Sequence, residues 1–306
     1  MNRIAIIGQS SFGSSVAEGI VKSKDTKIVG LFTPKNLDSD PLYLFSQKNN
    51  IDVFRFEKLR SNKAIEQFKK LKVDLLVMAY VTDIVPLEII ESPSLGTIQY
   101  HPSLLPKHRG PSSINWAIIN GDKKTGISIF WPDKGLDTGP ILLQKEVQID
   151  NTDSTGSLYF KKLFPLGVNA ILESIELIKN NNAPKIIQKE ENASYETWCS
   201  KQEINWDEEP KKIFDLIRGC DPQPGAWTEI NSKKIFFYDC KMSKNNLKLN
   251  HKQIFISKEE VCIGIKKEKI IIGRIKTEGE KKNENFSCSV TRAHFFFVDG
   301  KSKLRK

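Results

Sequence analysis

The run GTIQYHPSLLPKHRGPSSINW, residues 96 to 116, sets Gln99 two positions before His101, and the later run WPDKGLDTGPILLQ sets Asp137 in a glycine-rich turn. Side chains on a strand alternate between faces, so on an extended segment Gln99 and His101 project the same way and can share one substrate atom. Pro102 and Pro106 end such a strand and stiffen its exit, which places the histidine at a strand's C-terminal end, where open α/β sheets hold their sites. A carboxylate at that edge favours the protonated imidazole and can take a proton from an incoming nucleophile, directly or through water. A histidine standing alone would as readily bond only to nearby backbone. Here a carboxamide and a carboxylate are expected beside it, and acid–base chemistry is the stronger reading.

These residues need a scaffold, and the flanking segments predict one. RIAIIG, TKIVGLFT and VDLLVMAY are short apolar runs separated by polar segments of helical length, a βαβαβ rhythm. Strands covered by helices on both faces read as continuous apolar runs, so the first half is expected to be a Rossmann-like, open, mostly parallel sheet. GTIQYH, TGISIFW and ILLQKEVQI add strands, and residues 154–181 read as a helix with a break near Pro165. The polar run from Ala183 to Pro210 reads as a connection over the surface, with a domain boundary near residue 203. Beyond the helix EEPKKIFDLIRGC, the runs AWTEI, KKIFFYD, EVCIGIK, KIIIGRIK and AHFFFVDG predict a small, OB-like β-barrel over residues 204–306.

Composition narrows the function classes. The formal charge of +10 is concentrated at the end: residues 204–306 hold 22 Lys/Arg against 14 Asp/Glu, and residues 1–203 hold 25 against 23. A basic last third suits a polyanion such as RNA, and equally a soluble lysine-rich surface. The opening MNRIAIIGQSSFG has an apolar run of only four residues, and no later run reaches the roughly 18 that a membrane span needs, so a cytoplasmic protein is expected. Cys199, Cys220, Cys240, Cys262 and Cys288 form no C-x-x-C pair; reduced, mostly buried thiols are expected, with no metal site. The turn GQSSFG after the first strand departs from a dinucleotide fingerprint, and Gly8 and Gly13 suit a tight strand-to-helix turn; no acidic residue follows at the ribose position, so NAD is not indicated.

The runs HPSLLPKHRG, GDKKTGISIFWPDKGLDTGPILLQKEV and INWDEEPKKIFDLIRGCDPQPGAWTE together resemble the folate-dependent formyltransferase family over nearly the whole chain. Within it the likeness runs first to the hydrolase domain of 10-formyltetrahydrofolate dehydrogenases, the opening IGQSSFG included, and next to methionyl-tRNA formyltransferases. The resemblance implies a catalytic domain over residues 1–203 that binds 10-formyltetrahydrofolate as formyl donor, without a metal, and a C-terminal β-barrel domain over residues 204–306. It maps the chemistry onto Gln99, His101 and Asp137, and the folate loop onto AYVTDIVP, with Asp83, Ile84 and Val85 contributing mostly main chain and Asp137 adding to folate binding. Gln99 departs from the pattern: the transferases have Asn there and the hydrolase domains an apolar residue. The implied acceptor is initiator methionyl-tRNA, met by the basic C-terminal domain. Water and a nucleotide-sugar amine are the alternative acceptors, and an inactive folate- or RNA-binding protein is the non-enzymatic one. The run FTPKNLDSDPLYLFSQKN speaks against tRNA, because the resemblance would place a longer, basic loop there.

Overall fold

A computed structural model describes residues 2–35, 38–200, 202–230, 232–256 and 261–279. The first elements are β1 (Asn2–Gly8), α1 (Ser10–Val21), β2 (Thr26–Pro34), α2 (Pro41–Asn49), β3 (Val53–Phe56), α3 (Asn62–Lys70), β4 (Leu75–Ala79) and α4 (Leu87–Ile90). There follow β5 (Thr97–His101), α5 (Ser113–Ile119), β6 (Lys124–Phe130), β7 (Ile141–Gln148), α6 (Thr155–Leu158), α7 (Phe164–Lys179) and α8 (Pro210–Gly219). The remaining strands are β8 (Ala226–Ile230), β9 (Lys233–Tyr238), β10 (Lys241–Lys244), β11 (Ile254–Ile256), β12 (Val261–Ile265), β13 (Glu268–Ile272) and β14 (Arg274–Thr277). The described residues form two compact units: those within 1–110, 126–147 and 161–195 form one, and those within 111–125, 148–160 and 196–279 form the other.

The first unit carries a seven-stranded sheet in the order β3-β2-β1-β4-β5-β6-β7. β3, β2, β1, β4 and β5 run parallel, and β6 is antiparallel to β5. The apolar runs of β1 and β4 are buried along their length because helices cover both faces. One face packs Ala5, Ile7, Phe32, Leu76 and Met78 against Phe68, Ile89 and Ile90, each large side chain stabilising the fold by about 1.5–3 kcal/mol. On α1, Phe12, Val16 and Ile20 recur at helical spacing and are all buried. Gly8 has a packing reason: a Cβ there would lie 2.2 Å from the Ala79 carbonyl oxygen.

β3 is the strand that the apolar-run reading passes over. Its four residues are half-buried edge residues, alternating with Arg55, so no continuous apolar run marks it. The predicted break near Pro165 takes the form of a π-helical turn, Tyr159–Leu163, joining α6 to α7. Proline has no amide hydrogen to close the ordinary helical ladder, and a widened turn accommodates it.

The second unit has two antiparallel sheets, β10-β13-β12-β11 and β14-β9-β8. They share a core of Trp206, Ile213, Ile217, Phe237, Val261, Ile263 and Ile275. The predicted strand KIIIGRIK is two strands, parted at Gly273, where a Cβ would meet the Asp239 carbonyl oxygen at 2.5 Å. β10 and β11 were not predicted; β10 is mostly polar and β11 only three residues long. The predicted strand AHFFFVDG and Cys288 lie outside the described residues. α5 packs on α8, where Asn115 Nδ2 donates to the Gly219 carbonyl at 2.8 Å. Arg218 on α8 donates to the carbonyls of Asp150 and Asp153.

Candidate active site

β5 ends at His101, as its proline exit predicts, and pairs with β4 in parallel and β6 in antiparallel register, Gln99 opposite Phe130 and His101 opposite Ser128. The exit loop is fastened by polar side chains. Ser128 Oγ accepts from the Leu105 amide at 3.1 Å and donates to the Ser103 carbonyl at 2.7 Å, while Gln144 Nε2 donates to the Leu105 carbonyl at 2.7 Å. His108 has φ +56°, which turns the chain back so that its carbonyl meets His101 Nε2 at 2.8 Å. A carbonyl only accepts, so Nε2 carries the hydrogen and Nδ1 is the nitrogen left for chemistry.

Nδ1 faces Asp137, whose Oδ2 lies 3.5 Å away. The same oxygen accepts from the Gly110 amide at 2.8 Å, and Oδ1 lies 3.4 Å from Gln99 Nε2. The structure therefore brings Gln99, His101 and Asp137 together, with His101 and Asp137 buried and Gln99 partly exposed. Asp137 has φ +55°. Its loop is closed by Asp133 Oδ1, which accepts from Gly135 N and Thr138 Oγ1, and by Gly139, where a Cβ would lie 1.8 Å from the Trp131 carbonyl oxygen.

Asp83, Ile84 and Val85 lie beyond the C-terminal end of β4, at the same sheet edge as His101. Val85 is buried in the core beside Ile89. Asp83 spends its carboxylate on the loop, accepting from Leu59 N and from Ile84 N at 2.8 Å each, while the Ile84 side chain is 68% exposed. Leu136, next to Asp137, is 55% exposed. Among the described residues no cluster of three or more His, Cys, Asp or Glu is arranged to hold a metal ion, and no helix is long and apolar enough to cross a membrane.

The sequence alone does not mark Arg109 or Gln188. Residues 184–195 run over the surface as expected, with Gln188 alone buried among them, and are tied to the sheet unit by bridges at Ile141–Ile186 and Arg109–Tyr195. The Arg109 guanidinium, wholly buried, donates to Gln188, to both Glu190 oxygens and to the Tyr195 hydroxyl. The hydrogen bond to Glu190 raises the Arg109 pKa above its ordinary value, against burial, and holds the Glu190 carboxyl below the usual carboxylate range. A basic residue following HPSLLPK, with nothing acidic near it in sequence, was the one available signal.

Fold and side chains define an α/β protein with a buried histidine–aspartate pair at the carboxyl edge of its sheet. Residues 2–174 match the formyl transferase family and residues 200–286 match the formyl transferase C-terminal domain; the chain belongs to the formyl transferase family. It is 44% identical over 245 residues to the human mitochondrial 10-formyltetrahydrofolate dehydrogenase, covering 77% of this chain and 26% of that protein. The chain thus spans about a quarter of that relative's length. It is 38% identical over 199 residues to the methionyl-tRNA formyltransferase of Clostridioides difficile (strain 630), covering 64% of each. Its fold is similar to that of the N-formyltransferase from Helicobacter canadensis in complex with folinic acid and dTDP-3-aminofucose, with TM-score 0.68 at 22% identity, over 89% of this chain and 99% of that one.

Proposed function

We propose that the protein removes the formyl group of 10-formyltetrahydrofolate and passes it to the amine of methionyl-tRNA. The observation that carries formyl removal is the buried approach of His101 Nδ1 to Asp137 Oδ2 at 3.5 Å. When the acceptor amine attacks the formyl carbon, the carbonyl oxygen becomes an oxyanion. His101, protonated at Nδ1 and held through Nε2 by the His108 carbonyl, donates to it, with the Gln99 carboxamide as a second donor; each such donor is worth roughly 3–4 kcal/mol in acyl transfer. Asp137 takes the proton that the amine loses. Collapse returns the carbonyl as N10 leaves with the proton that Asp137 took, so Asp137 ends as a carboxylate and the products are the N-formyl acceptor and tetrahydrofolate. The main chain of Asp83, Ile84 and Val85 would take the pterin, and Asp137 would border it. In this reading residues 1–203 are the catalytic domain and residues 204–306 the C-terminal domain, whose excess of Lys and Arg meets tRNA phosphates.

Hydrolysis of 10-formyltetrahydrofolate to formate and tetrahydrofolate is the second reading. It is favoured by the 44% identity to a 10-formyltetrahydrofolate dehydrogenase and by the short path from β2 to α2, from Pro34 to Asp40. The test is tetrahydrofolate release from 10-formyltetrahydrofolate with and without charged initiator tRNA. Release that requires the tRNA supports the transferase; equal release without it establishes the hydrolase; release only with an aminated nucleotide sugar moves the acceptor there. No release under any of these conditions refutes formyl transfer and leaves a binding protein.

A further inference from the structure

Arg109 sits eight residues after His101 in the same motif, yet the proposed chemistry leaves it no part. Among the described residues it is also the largest fully buried side chain, 0% exposed. Burying a guanidinium is costly unless its donors are matched, and here the donors have a consequence beyond pairing. A guanidinium only donates. Gln188 lies 3.1 Å from Nε and 2.9 Å from Nη2, so it must turn its Oε1 toward Arg109. Its Nε2 must then point the other way, where it donates to the Asp137 carbonyl at 2.9 Å and the Gly139 carbonyl at 2.7 Å. Arg109 thereby sets the orientation of a carboxamide that grips the backbone on either side of Thr138. The grip falls where it matters: Asp137 is in the left-handed region, which non-glycine residues occupy at some cost. The next residue of the motif, Gly110, binds the Asp137 carboxylate itself.

We propose that Arg109 and Gln188 are positioning residues, a buried clamp that fixes the backbone of Asp137 and so aims its carboxylate at His101. The inference rests on the reading of Asp137 as the proton acceptor, and extends it to residues that touch no substrate. Glu190 and Tyr195 hold the far side of the guanidinium, so Arg109 stays in place when Gln188 alone is changed.

Two variants test the clamp. Gln188→Leu removes the grip and leaves the Arg109–Glu190 pair. Hydrogen exchange of residues 132–140 is expected to speed up about tenfold or more in it, a readout that needs no catalysis. Gln188→Glu keeps one oxygen for Arg109 and so favours folding, but turns a second, bare oxygen toward the two carbonyls; protonation restores a donor there. Its turnover at pH 8 is expected to fall about 10²-fold, the cost of a misplaced reacting group, and to recover toward the parent as the pH is lowered to 5.5, with the Michaelis constant for 10-formyltetrahydrofolate within about threefold throughout. A role in stability alone would move the melting temperature without this acid-side recovery. Unchanged exchange in Gln188→Leu, or parental turnover at pH 8 in Gln188→Glu, overturns the clamp. A parent that releases no tetrahydrofolate refutes the formyl-transfer reading instead, and the exchange measurement still decides the clamp.

Discussion

Asp137→Asn changes the charge at the centre of the site while keeping its shape. The Asp137 carboxylate lies 3.5 Å from His101 Nδ1. At that distance, with an effective dielectric constant of ~20, a carboxylate and an imidazolium attract by about 5 kcal/mol. Losing that attraction in the transition state is equivalent to a rate loss of more than 10³-fold. The amide dipole that replaces the charge returns part of it, and proton acceptance by an aspartate contributes about 10²- to 10⁴-fold by itself. A drop in turnover of about 10²- to 10⁴-fold is therefore expected. Stability should change little: the amide oxygen still accepts from the Gly110 amide, now at 2.8 Å to the carboxylate, and the exchange of a charged for a neutral acceptor costs about 1–2 kcal/mol. The assay is tetrahydrofolate release under single-turnover conditions, with chemical denaturation of the same preparation as the control. A folded variant that turns over within tenfold of the parent would refute the assignment of Asp137 as proton acceptor.

Four further outcomes are open to measurement. Gln99→Asn should keep most activity, because a carboxamide remains on the His101 face, whereas Gln99→Leu should lose about 10- to 10³-fold in turnover; a fully active Leu variant would remove Gln99 from the mechanism. The Michaelis constant for methionyl-tRNA should rise steeply between low and moderate salt through counterion release, and a salt-independent value would count against tRNA as acceptor. Glu190→Gln should lower the melting temperature slightly at pH 7. The Glu190 carboxyl has a folded pKa below the ordinary 4.5, so its pairing with Arg109 stabilises above that value and is lost as pH falls through the lower one; melting curves of parent and variant should converge on acidification, and a constant gap would show that the pairing does not depend on the charge. Gly139→Ala would set a Cβ 1.8 Å from the Trp131 carbonyl oxygen, a backbone atom that cannot swing aside; a loss of about 2 kcal/mol or more in denaturation, together with lost turnover, is expected.

Much of this molecule was legible because the governing physics is local. Apolar runs mark β1, β2 and β4, since a strand covered on both faces must be apolar on both. The alternation of TIQYH determined that Gln99 and His101 share a face, and the prolines after it determined where that strand ends. The amphipathic pattern of residues 210–219 likewise marked α8. The short strands escaped for local reasons: β10 is mostly polar, while β3 and β11 are mostly apolar but only four and three residues long, too short to stand out, and β3 and β10 pair with strands more than fifteen residues away. Only the tertiary structure decided how the site is held. Arg109 and Gln188 are 79 residues apart and Gly110 and Asp137 are 27 apart, and nothing in either neighbourhood announces the other. The direction of a buried carboxamide, the partition of the Asp137 oxygens between Gly110 and Gln99, and the nitrogen that His101 leaves free all depend on which donors and acceptors the folded chain brings within about 3 Å, because a buried polar group must find its partner wherever the fold supplies one.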